Sequence, residues 1–555
     1  MAESPPFQVD NVLFDENDYL FDRHRTNLFA FLNCKLLTLT YIISFVLNDV
    51  HIVHNKHLTG EIMKTSEIVV FIIYLIAMVY IGVYFFFKDK DAGEKTYFLG
   101  NRKMGAWVAA LSAGASDMSA WVLMGLPTSI YALGLGEVWI AVGLALGYSL
   151  SWIFLAPRLR KFSIVSGDAI TIPQYLTNRF KSKSYSLQII CALIFLIAYT
   201  IYAASSIKAC GTLFHKVIGI DATTAMYLSA VIIVSYTFLG GFSAVCWTDF
   251  FQGLLILAAM LAAPIFASFW LPPAAAVDIP AEFAGKFVNE EGFWNAFANW
   301  KSIASGFGWG LGYFGMPHII IRFMSIKSQK ELKKSSVIGI SWTILILVFA
   351  AFIGIIGRKC IGFDADVLGK ELVFVQMVRM IFPGVISGVL LSAVLAAAMS
   401  TADSQLLAAS SSFSSDFYKP IIRKGESGNQ ELLWNGRLIV LVVALLALLI
   451  ASNPNSNSIM GLVSNAWGVF GAAFGPAILL SLFWKRFNFA GAIAGITVGA
   501  LVDILWLMFC SKVGLYEIIP GFFAGLIAAI IVTLATKAPD AELDKLYDDA
   551  VKYDD

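Results

Sequence analysis

Three stretches of this sequence set oxygen-bearing side chains among residues that otherwise belong in oil. The first reads Ala-Leu-Ser-Ala-Gly-Ala-Ser-Asp-Met-Ser-Ala-Trp over 110–121, with Asp117 near its middle. The second reads Ala396-Ala397-Ala398-Met399-Ser400-Thr401-Ala402-Asp403-Ser404-Gln405. In a helix Ser400 and Ser404 fall one turn apart on the same face, with Thr401 beside them. The third, Gly240-Gly241-Phe-Ser-Ala-Val-Cys-Trp-Thr-Asp249, brings a carboxylate to the head of another apolar run. A carboxylate at the centre of a bilayer costs about 3 kcal/mol on insertion scales, so each is a functional hypothesis by default. Two plainer readings stand beside it: Ser and Thr in membrane helices often bond back to their own backbone, and Asp249 could be an interfacial cap. Asp503 has only aliphatic neighbours in sequence, and His318 reads as a packing or hydrogen-bonding residue after Pro317.

Such groups need elements that hold them at depth. The stretch Ser305-Gly-Phe-Gly-Trp-Gly-Leu-Gly-Tyr-Phe-Gly-Met-Pro317 packs five glycines into eleven residues before a proline. Glycine at that density removes side chains that hold a helix, and proline removes a backbone donor. This stretch and the one around Asp117 are therefore candidate broken helices, although dense glycine also suits close helix packing. Carbonyls freed at a half-helix C-terminus coordinate a hard cation, hydroxyls complete its oxygen shell, and the opposite N-terminus attracts an anionic group.

The whole chain supplies the lipid-spanning frame. Of 555 residues 58% are hydrophobic and only 14% charged, where a soluble domain carries roughly 25% charged. The 44 Phe, 14 Trp and 19 Tyr suit lipid better than water. With 39 basic and 38 acidic residues there is no basic field for nucleic acid. Six scattered cysteines exclude a disulfide framework, and no P-loop or HExxH motif is present. Ile68–Phe87, twenty residues without a charge, matches a hydrocarbon core of about 30 Å. Further spans are expected near 104–133, 135–156, 186–215, 223–240, 246–270, 300–322, 335–357, 384–413, 437–452, 458–484, 489–510 and 516–536, which makes thirteen. The two candidate breaks lie five spans apart, as in two inverted five-helix repeats. Alternate loops hold 25 basic residues against 8, which puts the start of the first span outside and the C-terminus in the cytoplasm. Residues 1–65 form an atypical extension holding His24, His51, His54 and His57, which reads as poorly ordered. Residues 66–537 form the transmembrane domain and 538–555 a short cytoplasmic tail.

At these residues the sequence resembles the sodium:solute symporter family. The matching stretches are ALSAGASDMSAW (110–121), GGFSAVCWTD (240–249), GWGLGYFGMPH (308–318), AAAMSTADSQLL (396–407), AFGPAILL (473–480) and LYEIIPGF (515–522). The resemblance implies an all-α LeuT-like core of five plus five inverted helices, with one helix before and two after. It implies a sodium site of the Ala115, Met118 and Ala397 carbonyls with the Ser400 and Thr401 hydroxyls. Asp117 would shape the break, and Asp249 with Ser404 would form a second-ion or ion-exit position. The solute, expected to be L-proline, would lie among Ser119, Trp121, Tyr202, Trp309 and Tyr313, with Pro317 fixing the seventh span. The chain departs from the familiar pattern at Ala120 for glycine, Met316 for glutamine and Asp403 for serine. If Asp403 shares a region with Asp249, their repulsion adds proton sensitivity.

The resulting expectation is a sodium-coupled secondary transporter of the bacterial cytoplasmic membrane, no enzyme, with no cofactor beyond sodium as coupling ion, working as a monomer in the lipid bilayer. The rivals are a symporter for another small solute, such as a different amino acid or pantothenate, a channel, and a transporter-like sensor.

Overall fold

Backbone N–H and C=O groups in hydrocarbon have no water to turn to, so an apolar run pairs them within one helix. The computed structural model describes residues 65–88, 93–275, 279–283, 285–297 and 299–553, and the N-terminal extension with its four histidines lies outside the described residues. The principal helices run as α1 Thr65–Lys88, α2 Ala106–Asp117, α3 Leu126–Leu133, α4 Val138–Leu150, α5 Ala156–Val165, α6 Ile172–Arg179, α7 Ser186–Ile218 and α8 Ala222–Trp270. After a loop come α9 Trp300–Leu311, α10 Pro317–Ser325, α11 Gln329–Ile361, α12 Gly384–Ser411, α13 Asn429–Ala451, α14 Ile459–Phe483, α15 Phe489–Leu505, α16 Ile518–Ala535 and α17 Ala541–Lys552.

Ten described helical stretches are long and apolar enough to cross a bilayer. The expected spans missing from those ten are the interrupted or short ones. The second is divided between α2 and α3, the fifth contributes only a short apolar stretch, Ala222–Ser235, and the seventh is divided between α9 and α10. Gly241, at φ +61°, kinks α8 between the expected fifth and sixth spans. The outward faces are apolar: on α1, Val69, Ile73, Ile76, Tyr80, Tyr84 and Phe87 are all exposed along one stripe. Such a stripe has no place on a water-facing helix and suits lipid contact.

Both interruptions have local causes. α2 ends at Asp117, and Met118 leaves the helical region at φ −79°, ψ 69°. A single π-helical turn, Trp121–Gly125, then leads into α3, which has Pro127 in its first turn. In the seventh span α9 tightens to a 3₁₀ turn over Gly312–Phe314, and Met316 lies in the extended region at ψ 104°. A residue before proline is driven there by the pyrrolidine ring, and Pro317 restarts the helix where its missing N–H costs nothing. The break thus falls at 312–316. Glycines 306, 308 and 310 stay helical, which corrects the expectation that they open the helix. They serve packing instead. A Cβ on Gly143 of α4 would stand 2.0 Å from the Gly306 carbonyl oxygen, and one on Gly147 would stand 2.2 Å from that of Gly310. α4 and α9 therefore meet backbone to backbone, as small-xxx-small helices do in membranes.

Candidate functional site

The C-terminal end of α2 gathers negative potential, because the last carbonyls of a helix carry its negative dipole end. Asp117 adds a carboxylate at the same end. Its Oδ2 accepts a hydrogen bond from the Tyr313 hydroxyl at 2.5 Å, and its buried Oδ1 has no partner among the described residues. Beside it, the Ser400 hydroxyl of α12 lies 2.8 Å from the Ala115 carbonyl and 3.1 Å from that of Ala397. Thr401 Oγ1 reaches the Ala397 carbonyl at 3.1 Å. Four of the five expected sodium ligands are thus brought together, and the fifth, Met118, is the residue at which the backbone leaves the helix. All five are fully buried or nearly so. Clustered carbonyl and hydroxyl oxygens with a carboxylate behind them suit a small monovalent cation.

Above this cluster the expected solute residues form an aromatic wall. Trp121 and Trp309 stack with ring centroids 6.3 Å apart and planes 29° from parallel. Tyr313 stands edge-on to Trp467 at 5.0 Å, and the Trp467 indole N–H donates to the Trp309 carbonyl at 2.8 Å. The Ser119 hydroxyl faces the Trp121 backbone N–H at 3.5 Å. Tyr202 lies further along, its ring 6.1 Å from that of His318, and the His318 backbone N–H, next to Pro317, donates to the Tyr199 hydroxyl at 2.9 Å. Trp309, the most accessible of these expected solute residues, is only 5% exposed, so the wall is closed to bulk water. Trp467 escaped the sequence reading because nothing marks it within an apolar, glycine-rich run.

Toward the other ends of α2 and α12 lies a cluster the sequence disguised. Asp249 Oδ2 accepts from Ser112 at 2.7 Å and Ser116 at 3.0 Å, and pairs with Arg322 at 3.2 Å. Arg322 also bonds Ser112 at 3.2 Å, Ser404 and the His318 carbonyl, and its guanidinium lies 5.4 Å over the Phe242 ring. It is 1% exposed. Arg322, one of the 25 basic residues expected in loops, is instead an internal cation joining α2, α8, α10 and α12. The signal available was its position four residues after His318, on the same face of α10. Ser404 also lies 2.9 Å from Ser116 and 3.3 Å from Asp403 Oδ1. Asp403 and Asp249 do share a region, and Asp249 is paired there with the guanidinium.

Past that cluster the same end of the molecule is latched. Met104 exchanges backbone bonds with Ser325 and Lys327, each at 3.2 Å, and the Ala106 N–H donates to Glu331 at 3.1 Å. Arg102 reaches the Met324 carbonyl at 2.5 Å, the Ala169 carbonyl at 2.8 Å and Asp168 at 2.9 Å. Arg160 bonds the Ile326 and Lys327 carbonyls at 2.7 and 2.9 Å. Burial works to raise the Asp168 carboxyl, but hydrogen bonds from Lys95 and Arg102 outweigh it and hold the group below the usual carboxylate range.

A profile of the sodium:solute symporter family matches residues 97–499. The chain is 41% identical over 493 residues to the sodium/proline symporter of Escherichia coli K12, covering 88% of this chain and 97% of that one. It is 43% identical over 475 residues to the high-affinity proline transporter PutP of Bacillus subtilis strain 168, covering 85% and 98%. Among solved structures, a Na+-coupled sialic acid symporter in a substrate-bound outward-open state has a TM-score of 0.68 at 21% identity, covering 86% of this chain and 99% of that one.

Proposed function

The chain belongs to the sodium:solute symporter family and carries a LeuT-like all-α membrane fold, and from that premise we propose that it imports L-proline with sodium by alternating access. The observation that carries the reading is the break at Met118, where the Ser400 hydroxyl meets the Ala115 carbonyl beside an incompletely bonded Asp117. Sodium as co-substrate takes the carbonyls of Ala115, Met118 and Ala397 with the hydroxyls of Ser400 and Thr401. Asp117 holds the break from beneath and, through Tyr313, ties it to the second broken helix. Ser119, Trp121, Tyr202, Trp309 and Tyr313 hold the solute, whose apolar ring packs on aromatic faces, and Pro317 fixes where the seventh span restarts. Asp249, Asp403 and Ser404 line the ion's way out. Relatives of matching length named for proline support the choice of solute.

Nothing covalent is required, since the work comes from the ion. One sodium crossing about 100 mV supplies about 2.3 kcal/mol, and a tenfold gradient adds about 1.4 kcal/mol. Together they sustain roughly a 500-fold solute gradient. We place the protein in a bacterial cytoplasmic membrane as a monomer, with the start of the first span outside and the tail from 538 in the cytoplasm. Residues 66–537 form the transport domain behind the extension of 1–65. Uptake of labelled proline into proteoliposomes tests this. It should require an inward sodium gradient, be blocked by excess proline analogue but not by pantothenate or sugar, and fall sharply in Ser400→Ala and Asp117→Cys. Uptake indifferent to sodium would end the proposal.

A further inference from the structure

Away from the ion and solute positions, α14, α15 and the start of α16 enclose a second meeting of acids. Asp503, near the end of α15, is fully buried, and neither carboxylate oxygen has a hydrogen-bond partner among the described residues. Glu517, immediately before α16, is 8% exposed. Both lean on Gly468 of α14. A Cβ there would stand 2.9 Å from Asp503 Oδ1, 3.3 Å from its Oδ2 and 3.3 Å from Glu517 Cγ. Glycine is thus what makes room for the two side chains, which both border the same missing Cβ.

Among the described residues, the elements packed around the pair bring no countercharge. On the α14 side stand Ser464, whose carbonyl takes the Tyr516 hydroxyl at 2.7 Å, and Trp467. Tyr516 itself stacks on Trp309 with centroids 5.0 Å apart. Lys301, the basic residue of the adjoining α9, gives its Nζ to the Val513 carbonyl at 2.7 Å. Lys512, on the turn between α15 and α16, is exposed to solvent. α7 contributes the buried phenol Tyr202. Two buried carboxyl groups this close cannot both ionise without a cation, because desolvation and repulsion act in the same direction. One proton resolves both, since it leaves a single charge on the two groups. A sodium ion would need further oxygens, and the third wall is a glycine with none on a side chain.

We propose that Asp503 and Glu517 form a buried acid pair in which one of the two carboxyls keeps its proton. The proton has a mechanical consequence, because Gly468 follows Trp467, whose indole is bonded to the Trp309 carbonyl at the solute wall. Loss of the proton would set two negative charges against the helix that backs that wall. The pair is separate from the sodium ligands, so the proposal does not depend on which solute is carried.

The test uses the purified full-length protein, with infrared spectra in H2O and D2O and melting curves in sodium chloride and in choline chloride. A protonated-carboxyl stretch should be present at neutral pH, shift in D2O and vanish in Asp503→Asn. Because the folded state keeps a proton that the unfolded chain has lost, the wild-type melting temperature should fall as pH rises from about 6 to about 9. That fall should flatten in Asp503→Asn and in D503N/E517Q, equally in both salts. Glu517→Gln carries the same readout should Asp503→Asn fail to fold. No carboxyl band sensitive to either variant, or a melting dependence on sodium in place of pH that either variant removes, would overturn the pair. A null result for proline uptake would leave these readings untouched.

Discussion

The Ser400 hydroxyl is the residue on which the ion site turns, since it is bonded at once to α2 and to its own helix. Replacing it with alanine removes one oxygen from a cation and leaves the fold alone. A hydrogen bond to a charged group contributes about 1.5–3 kcal/mol, so Ser400→Ala should raise the half-saturating sodium concentration about tenfold or more. A sodium titration of proline uptake measures this, and an unchanged midpoint would remove Ser400 from the ligand set. Arg322 calls for a different experiment. Breaking a buried ion pair by deleting one partner costs about 3–5 kcal/mol, because the other charge is stranded. Arg322→Gln should therefore lower the melting temperature markedly, and the double variant R322Q/D249N should recover part of the loss. Additive losses would mean that the pair is not a unit.

At the scale of elements, the backbone contact between α4 and α9 predicts an ordering among neighbouring glycines. A methyl on Gly310 would stand 2.4 Å from the Gly143 carbonyl oxygen, whereas one on Gly308 meets the Ile519 side chain at 2.7 Å, which can rotate away. Gly310→Ala should destabilise by about 1–3 kcal/mol, and Gly308→Ala by clearly less, as read from melting in detergent. The short turn bearing Asp168 gives a pH prediction. Its carboxyl is held below the usual range, so its contribution is present above the ordinary carboxylate pKa of about 4 and is lost as pH falls through the depressed value. Asp168→Asn should lose that contribution at neutral pH and show less further loss in acid, and an identical acid melting profile would contradict this. At this scale the sequence was informative but incomplete. The carboxylates, hydroxyls and proline showed where the chain had to break, because each is costly in lipid without a purpose. It could not say which glycines loosen a helix and which let two helices touch, because that depends on the partner. Arg322 was misplaced for a related reason: a basic residue near a span end reads as a loop charge until the helix is seen to begin again at Pro317. Glu517 was likewise invisible as a neighbour of Asp503 until α15 and α16 were placed side by side.

For the whole molecule, the aromatic wall is shut and one end is latched, so the structure describes a state in which neither compartment reaches the cation ligands freely. The latch joins the segment entering α2 to the chain leaving α10, which in the proposed orientation are the inner halves of both broken helices. Weakening it with Arg102→Ala should speed efflux from loaded proteoliposomes severalfold while leaving sodium affinity from outside within about twofold; efflux at the parental rate would show that the latch is not the barrier. Its make-up has one more outcome. Most of its acceptors are main-chain carbonyls, which carry no titrating proton and no mobile countercharge. A closure of that kind loses only its Asp168 and Glu331 contacts when carboxylates take up protons, so acid would loosen one corner of the seam and leave the rest of it shut.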